Sequence, residues 1–301
     1  MIEPPNLQKG STIAIVATAR KISLEEVRPA IRLLSTQGFQ VITGKRMFGN
    51  ENQFSGSDED RTADMQDMLD DLKVDAILCA RGGYGTVRIV DKLDFTEFNK
   101  KPKWLCGYSD VTVLHSHINQ NLGVCSIHST MPINMKGISS EHEAFNSLML
   151  ALTGGSLHYE FDSNQLNRQG SMEGEVVGGN LSILYSILGS ASDIDTKGKI
   201  LFLEDLDEYL YHIDRMMVNL KRNGKLTALK GLLVGGMSDM NDNTIPFGKT
   251  AIEIIREVVE DYDYPVAFNF PAGHIDDNLA IVLGKKATIR VTDSGSEFQN
   301  I

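Results

Sequence analysis

The first half of the chain alternates short apolar runs with longer amphipathic segments, and this alternation limits the possible fold more than any other feature. The apolar runs predict five buried strands: TIAIVAT (12–18), FQVIT (39–43), DAILCA (75–80), WLC (104–106) and GVCSI (123–127). Between them, residues 24–37 and 58–71 carry apolar side chains at helical spacing, with Asp58 as a plausible N-cap. Strands that alternate with helices favour an α/β fold with a parallel sheet, whose ligand sites lie beyond the carboxyl ends of the strands.

The second half has a different pattern. Residues 154–172 lose the periodicity and gain Gly, Ser, Asn and Gln, which indicates a domain boundary. We therefore expect an α/β domain over 1–155, a linker over 156–172 and a smaller domain of mixed strands and helices over 173–301. In that domain the pattern predicts strands at 199–204, 229–236, 265–270, 280–283 and 287–292, and helices near 208–222 and 248–261.

Composition excludes several classes of function. Of 301 residues, 42% are hydrophobic and 23% are charged, which is typical of a globular protein with a core. The net charge of −11 gives no general attraction for nucleic acid or anionic membranes, so neither is expected as a partner. No apolar run approaches the roughly 20 residues of a membrane span, and the N-terminus is a poor signal peptide. We expect a cytoplasmic protein, in which Cys79, Cys106 and Cys125 are buried thiols.

The loop RGGYG (81–85) directly follows the predicted strand DAILCA. Paired glycines free backbone N–H groups to point at a ligand, as in a phosphate cradle or an oxyanion site. The same glycines also suit an ordinary tight turn. The loop is not GxGxxG and is not followed by Lys and Ser or Thr, which disfavours a nucleotide site.

The segment GYSD (107–110) lies between the predicted strand WLC and a run with helical spacing. Ser109 is either a nucleophile exposed on a sharp strand-to-helix turn or only the N-cap of the helix, with Asp110 favouring the helix dipole. In the first case the Asp110 N–H can bind a developing oxyanion. The residues after Ser109 do not complete the GxSxG pattern of α/β-hydrolases, so the local sequence leaves both interpretations open.

A serine nucleophile needs a base and an acid that orients the base. Five histidines lie on helices or in polar stretches and are less suitable as the base: His115, His117, His142, His158 and His212. His128 follows the fifth strand, and His274 lies in the turn-rich loop PAGHIDDN, so both could face a cleft at the strand ends. For the acid, Glu204 ends the apolar strand KILFLE. Its neighbours Asp205, Asp207 and Glu208 remain alternatives.

A catalytic metal is the competing chemistry. The sequence contains no HExxH motif and no close pairing of cysteines with histidines. His115 and His117 are two residues apart and would not share one face of a helix. We therefore expect neither a metal nor a cofactor.

Seven segments in order resemble the LD-carboxypeptidases, serine peptidases that include the microcin C immunity peptidases. They are TIAIVATAR, FSGSDEDRTADMQ (54–66), DAILCARGGYG, WLCGYSDVT, EVVGGNLSIL (175–184), LFLEDLDEYLYHIDRMM (201–217) and FPAGHIDDNLAIVLG (270–284). The resemblance implies an N-terminal domain similar to class I glutamine amidotransferases and a swivelling C-terminal β/α/β domain. VATAR departs from the usual Pro-Ser ending of the first segment, and HSTMP (128–132) departs from the usual His-Gly-Pro.

The resemblance also implies roles for individual residues. The family's catalytic triad falls on Ser109, Glu204 and His274, which splits it between the two domains and puts the site in the cleft between them. The oxyanion donors fall on the N–H groups of Gly83 and Asp110. Candidates for substrate binding are Arg81, Gly82 and Tyr84 of the glycine-rich loop. Recognition of a terminal carboxylate on a protein of net charge −11 needs local positive potential, which Arg81 would supply from its place before the Gly82-Gly83 turn, unless it is an ordinary surface arginine.

The implied activity is removal of terminal D-Ala from muropeptide tetrapeptides, by cleavage of an L–D peptide bond during cytoplasmic cell-wall recycling. A homodimer is expected. Two alternatives remain: a microcin C immunity-like peptidase that cuts peptide or aminoacyl-nucleotide conjugates, and a catalytically idle relative that only binds a ligand.

Overall fold

The computed structural model describes all residues from 1 to 301 and contains thirteen strands and eight α-helices. The strands are β1 Thr12–Val16, β2 Gln40–Thr43, β3 Val74–Cys79, β4 Trp104–Gly107, β5 Ser126–His128, β6 His158–Phe161, β7 Gly170–Asn180, β8 Ile200–Leu206, β9 Gly231–Ser238, β10 Val266–Ala267, β11 Ile281–Leu283, β12 Lys286–Val291 and β13 Ser296–Asn300. The helices are α1 Leu24–Thr36, α2 Asp58–Asp70, α3 Thr96–Lys100, α4 Thr112–Leu122, α5 Glu143–Thr153, α6 Leu181–Ser186, α7 Leu210–Arg222 and α8 Ala251–Val258.

The first sheet has the order β11-β5-β4-β3-β1-β2, in which β1 to β5 are parallel to one another and β11 pairs antiparallel with β5. Alternate residues of β1 enter different cores: Ile13 and Ile15 pack in one, Ala14 and Val16 in the other. Both faces of the sheet are therefore covered, as expected for strands that are apolar along their whole length. The predicted α/β class with an N-terminal parallel sheet is confirmed.

The second sheet has the order β10-β9-β8-β7-β12-β13-β6. Strands β7 to β10 are parallel, whereas β12, β13 and β6 add an antiparallel half. This sheet forms the separate C-terminal part of the molecule. None of the helices combines the length and the apolar composition that crossing a membrane requires.

Several details of the predicted elements differ from the structure; the strand predicted at 265–270, for example, is only the two-residue β10. The segment 156–172, predicted as a linker, contains β6 and the start of β7. The secondary structure therefore does not mark the domain boundary, whose position remains a prediction. The fifth strand starts at Ser126, three residues after the predicted start, and the Cys125 N–H donates to the Ile2 carbonyl at 2.8 Å. Helix α2 is capped by Ser57, whose side chain accepts from the Asp60 N–H at 3.1 Å. Serine and aspartate both serve well as N-caps, so residue type alone could not choose between Ser57 and Asp58.

Candidate active site

Ser109 lies on the turn between β4 and α4, with a backbone φ of 63°. This left-handed conformation is uncommon for a residue with a Cβ and costs about 1–2 kcal/mol. The side chain caps no helix: Tyr108 is the N-cap of the short 3-10 helix that starts at Ser109, and Val111 is the N-cap of α4. A strained serine that is partly exposed and has no capping role favours the nucleophile over the helix cap.

Glu204 and His274 form a hydrogen-bonded pair beside this turn. Glu204 is fully buried on β8, and its Oε2 lies 2.7 Å from His274 Nδ1. A carboxylate only accepts hydrogen bonds, so Nδ1 carries the proton and Nε2 is left free to act as a base. The Tyr108 ring packs 4.8 Å from the His274 ring, centroid to centroid, which places the histidine next to the Ser109 turn.

The loop that carries His274 is fixed from two directions. Gly273 has φ 113° and lies so close to Glu204 that a Cβ added to the glycine would be 2.7 Å from the glutamate Cβ. The Gly273 N–H donates to Asn278 Oδ1 at 2.8 Å. Only glycine fits this close approach, which holds the histidine ring against its carboxylate partner.

Asp205 faces a different set of partners from Glu204. Its carboxylate accepts hydrogen bonds from Asn180 Nδ2 at 2.9 Å and from the Ser182 N–H at 2.8 Å. Burial, together with the charge of Glu204, raises the pKa of Asp205 to about 7. Of the two adjacent carboxylates, Glu204 is therefore the one that meets His274.

The charge state of His274 depends on two opposing effects. Burial lowers its pKa, but the hydrogen bond from His274 to Glu204 and the negative charge of that carboxylate outweigh burial and raise the pKa above its ordinary value. Only the neutral ring can accept a proton, so activity should fall as the pH drops through this raised pKa. We expect the acid limb of kcat/KM to have a midpoint above 6.5, measured as a pH profile over roughly pH 5 to 9. A midpoint below that value would contradict the role of the pair.

The loop 81–85 packs directly on the Ser109 turn. A Cβ added to Gly82 would lie 3.0 Å from Ser109 Oγ and 3.5 Å from the Asp110 backbone nitrogen. Gly83 has φ 113°, and its N–H has no protein acceptor. The buried Asp110 carboxylate accepts from the Thr86 N–H at 2.8 Å, which ties the turn to the loop. The predicted oxyanion donors, the N–H groups of Gly83 and Asp110, thus belong to two segments that pack against each other at the serine.

A cavity of about 590 Å³ collects these groups between the two sheets. Ser109, Gly82, Gly83, Arg81 and His274 all line it, and the buried Glu204 lies behind the histidine. No hydrogen bond joins Ser109 to His274. Such bonds are often long without substrate and shorten in the substrate complex.

Two residues differ from expectation. Tyr84, predicted to bind substrate, does not line the cavity; it is exposed, and its ring lies 6.1 Å from the Phe54 ring. Arg20 also lines the cavity, although it is not among the site residues expected from the sequence. The available signal was its position after the carboxyl end of β1, in the VATAR segment that departs from the usual pattern.

The other candidate base, His128, is fully buried and packs between the rings of Tyr108 and Phe202, at centroid distances of 5.8 and 5.0 Å. Burial lowers the pKa of His128 well below the ordinary value, so the ring is neutral. The same burial leaves the ring without access to a substrate. His115 is also buried, with Nε2 2.8 Å from the Gly107 carbonyl just before the Ser109 turn. No cluster of three or more His, Cys, Asp or Glu side chains is arranged to hold a metal ion.

A serine and a histidine–carboxylate pair that reach one cavity from different sheets, with free backbone donors beside the serine, form a constellation typical of serine hydrolases. The chain belongs to the LD-carboxypeptidase family. The family's N-terminal domain matches residues 13–129, and its C-terminal domain matches residues 173–289. The resemblance noted in the sequence is therefore confirmed.

Similarity to relatives named as carboxypeptidases extends over nearly the whole chain. A probable murein peptide carboxypeptidase of Bacillus subtilis (strain 168) is 37% identical over 298 residues, covering 97% of this chain and 92% of the relative. A murein tetrapeptide carboxypeptidase of Pseudomonas aeruginosa is 25% identical and covers 92% of each chain.

Solved structures show the same two-part fold. The muramoyltetrapeptide carboxypeptidase from Oxalobacter formigenes superposes with a TM-score of 0.87 at 25% identity, covering 96% of this chain and 98% of that one. The wild-type microcin C7 self-immunity protein also has a TM-score of 0.87, at 20% identity, covering 98% and 97%. This second likeness is one of fold alone.

Proposed function

We propose that this chain is a serine carboxypeptidase that releases the terminal D-Ala of a murein tetrapeptide by hydrolysing an L–D peptide bond. Family membership and the relatives named as murein carboxypeptidases support the substrate class. The observation that carries the chemistry is the His274–Glu204 pair facing the same cavity as the strained Ser109.

In the proposed mechanism, His274 Nε2 accepts the Ser109 proton as Oγ attacks the carbonyl carbon of the penultimate residue. Glu204 holds the ring in the correct tautomer and stabilises the imidazolium that forms. The N–H groups of Gly83 and Asp110 bind the oxyanion. His274 then gives its proton to the departing D-Ala amine. Water, deprotonated by the same histidine, hydrolyses the ester on Ser109 and frees the acyl product.

We also propose a cytoplasmic homodimer that acts in murein recycling. The buried, unpaired thiols of the three cysteines are consistent with a reducing compartment. For a dimer, the support is an exposed apolar surface on α7 and the loop after β9, which includes Tyr211, Val218, Ile245 and Phe247. A mass of 33.2 kDa by light scattering, the mass of one chain, would contradict the dimer.

The substrate assignment predicts selectivity for both chirality and charge at the terminal residue. Tetrapeptides that end in D-Ala, L-Ala and D-Ala-amide, otherwise identical, should differ in the rate of release of the last residue. The D-Ala acid should be cut about a hundredfold faster than the L-Ala form, because a misplacement of ~1 Å at the reacting centre has an effect of that size. It should be cut about 10- to 100-fold faster than the amide, which lacks the carboxylate charge. Equal rates for the D and L forms would refute the LD specificity. Rapid cleavage of the amide would refute recognition of the carboxylate.

A further inference from the structure

Two arginines line the catalytic cavity, and they differ in how far their charges are already engaged. The guanidinium of Arg81 is directed toward its own neighbours: Nη1 donates to the Lys21 carbonyl at 3.2 Å and lies 3.9 Å from Glu26 Oε1. A positive charge with these partners is poorly placed to bind a second carboxylate in the cavity.

Arg20 is exposed, has no carboxylate within ion-pair distance and lies against the oxyanion loop. Its Cδ and Nε are 2.6 and 2.9 Å from the position that a Cβ on Gly83 would occupy. The backbone around it is fixed, because the Ser55 N–H donates to the Ala19 carbonyl at 3.1 Å and the Lys21 N–H donates to the Gln53 carbonyl at 2.9 Å. The Arg20 side chain thus lies against Gly83 and has no acidic partner, so its guanidinium is available to a ligand.

The wall of the cavity formed by the second sheet is acidic and already hydrogen-bonded. Asp207 Oδ1 accepts from Asn241 Nδ2 at 2.7 Å, and Glu208 Oε2 lies 2.6 Å from His212 Nδ1. In a protein of net charge −11, these groups repel an anionic substrate end and favour its approach to the wall that carries Arg20.

We propose that Arg20 determines specificity by binding the free carboxylate of the residue that leaves. The inference rests on the proposed carboxypeptidase function. We take the scissile carbonyl oxygen to accept a hydrogen bond from the Gly83 N–H. The terminal carboxylate is then only a few covalent bonds from that carbonyl, within reach of a side chain that packs on Gly83. The planar guanidinium can form two parallel hydrogen bonds with a carboxylate, which a neutral amide on the substrate cannot match.

The test compares Arg20→Gln with wild type on the tetrapeptide D-Ala acid and its D-Ala-amide. We expect kcat/KM for the acid to fall about 10- to 100-fold, the range for loss of a hydrogen bond to a charged group. Cleavage of the amide should be unchanged, so the preference for the acid should nearly disappear. Arg20→Lys keeps the positive charge but cannot form two parallel hydrogen bonds, so it should retain part of the preference for the acid.

Arg28→Gln is the matched control, since Arg28 is an exposed arginine on α1 outside the cavity and should leave both rates unchanged. An undiminished preference in Arg20→Gln, or loss of the preference in Arg81→Gln instead, would overturn the assignment. A wild-type protein that releases D-Ala from neither substrate would refute the proposed function itself, which separates the two failures.

Discussion

Replacing Ser109 with alanine should abolish turnover and leave the fold intact. The nucleophile would be lost, and comparable removals in serine proteases cost about 10⁶-fold in kcat. The Ser109 Oγ makes no hydrogen bond, and alanine keeps the Cβ, so the strain at φ 63° is unchanged. We expect the free energy of unfolding to stay within about 1 kcal/mol of wild type, measured by denaturant titration alongside D-Ala release. Turnover near the wild-type rate would remove Ser109 from the mechanism.

Ser109→Gly is the matched control for strain. It should be as inactive as Ser109→Ala, yet more stable than that variant by about 1 kcal/mol, because glycine adopts a positive φ without penalty. If glycine gave no gain in stability, the turn would not carry the strain that marks Ser109 as a functional residue.

Replacing Glu204 with glutamine should lower kcat by about 10⁴-fold, the effect of the equivalent change in a serine protease triad. The amide has nearly the same shape but no charge, so it neither stabilises the imidazolium nor enforces the tautomer in which Nε2 is the base. It also removes the interaction that raises the His274 pKa. Any residual activity should therefore have its acid limb at a lower pH than wild type.

Asp205→Asn is the control for the adjacent carboxylate. Its oxygens accept from Asn180 and Ser182 rather than from His274, so we expect kcat to fall less than about tenfold. Loss of one buried hydrogen bond should instead lower the free energy of unfolding by about 1–3 kcal/mol. The reverse ranking of the two variants in kcat would transfer the orienting role to Asp205.

The N-terminal parallel sheet could be predicted from sequence because its signal is local. Runs such as TIAIVAT and DAILCA are apolar on both faces of the strand, and the structure places β1 and β3 within two residues of the predicted ends. β6 lies in the predicted linker because its four residues, HYEF, alternate polar and aromatic side chains over too short a run to stand out from the flanking Gly, Ser, Asn and Gln.

Pairings between distant segments could not be predicted in the same way. β11 lies in the C-terminal half of the chain but pairs antiparallel with β5 and becomes an edge strand of the first sheet. Nothing in the residues 281–283 distinguishes that partner from a strand of the second sheet. The pairing of β11 with β5 depends on how the N-terminal and C-terminal parts pack together, which the local sequence does not determine.

The candidate site shows the same division. The glycines after β3 and the serine after β4 can be recognised as candidate site residues because they lie at strand ends. The choice of His274 over His128, and of Glu204 over its acidic neighbours, depends on the family resemblance. The structure adds the physical reason for the choice: His128 is buried between aromatic rings, whereas His274 lies on the cavity and bonds Glu204. The place of Arg20 beside Gly83 required the folded loop.

The central claim is that Ser109 is a nucleophile activated by His274 and Glu204, and a fluorophosphonate probe tests it most directly. The wild-type protein, treated with the probe and analysed by peptide mass spectrometry, should carry one adduct, on Ser109. Labelling should be absent in Ser109→Ala, which lacks the nucleophile. It should be strongly slowed in Glu204→Gln, because His274 without its carboxylate partner would be a poor base for Ser109. An adduct on another residue, or no adduct on the folded wild-type protein, would contradict the account.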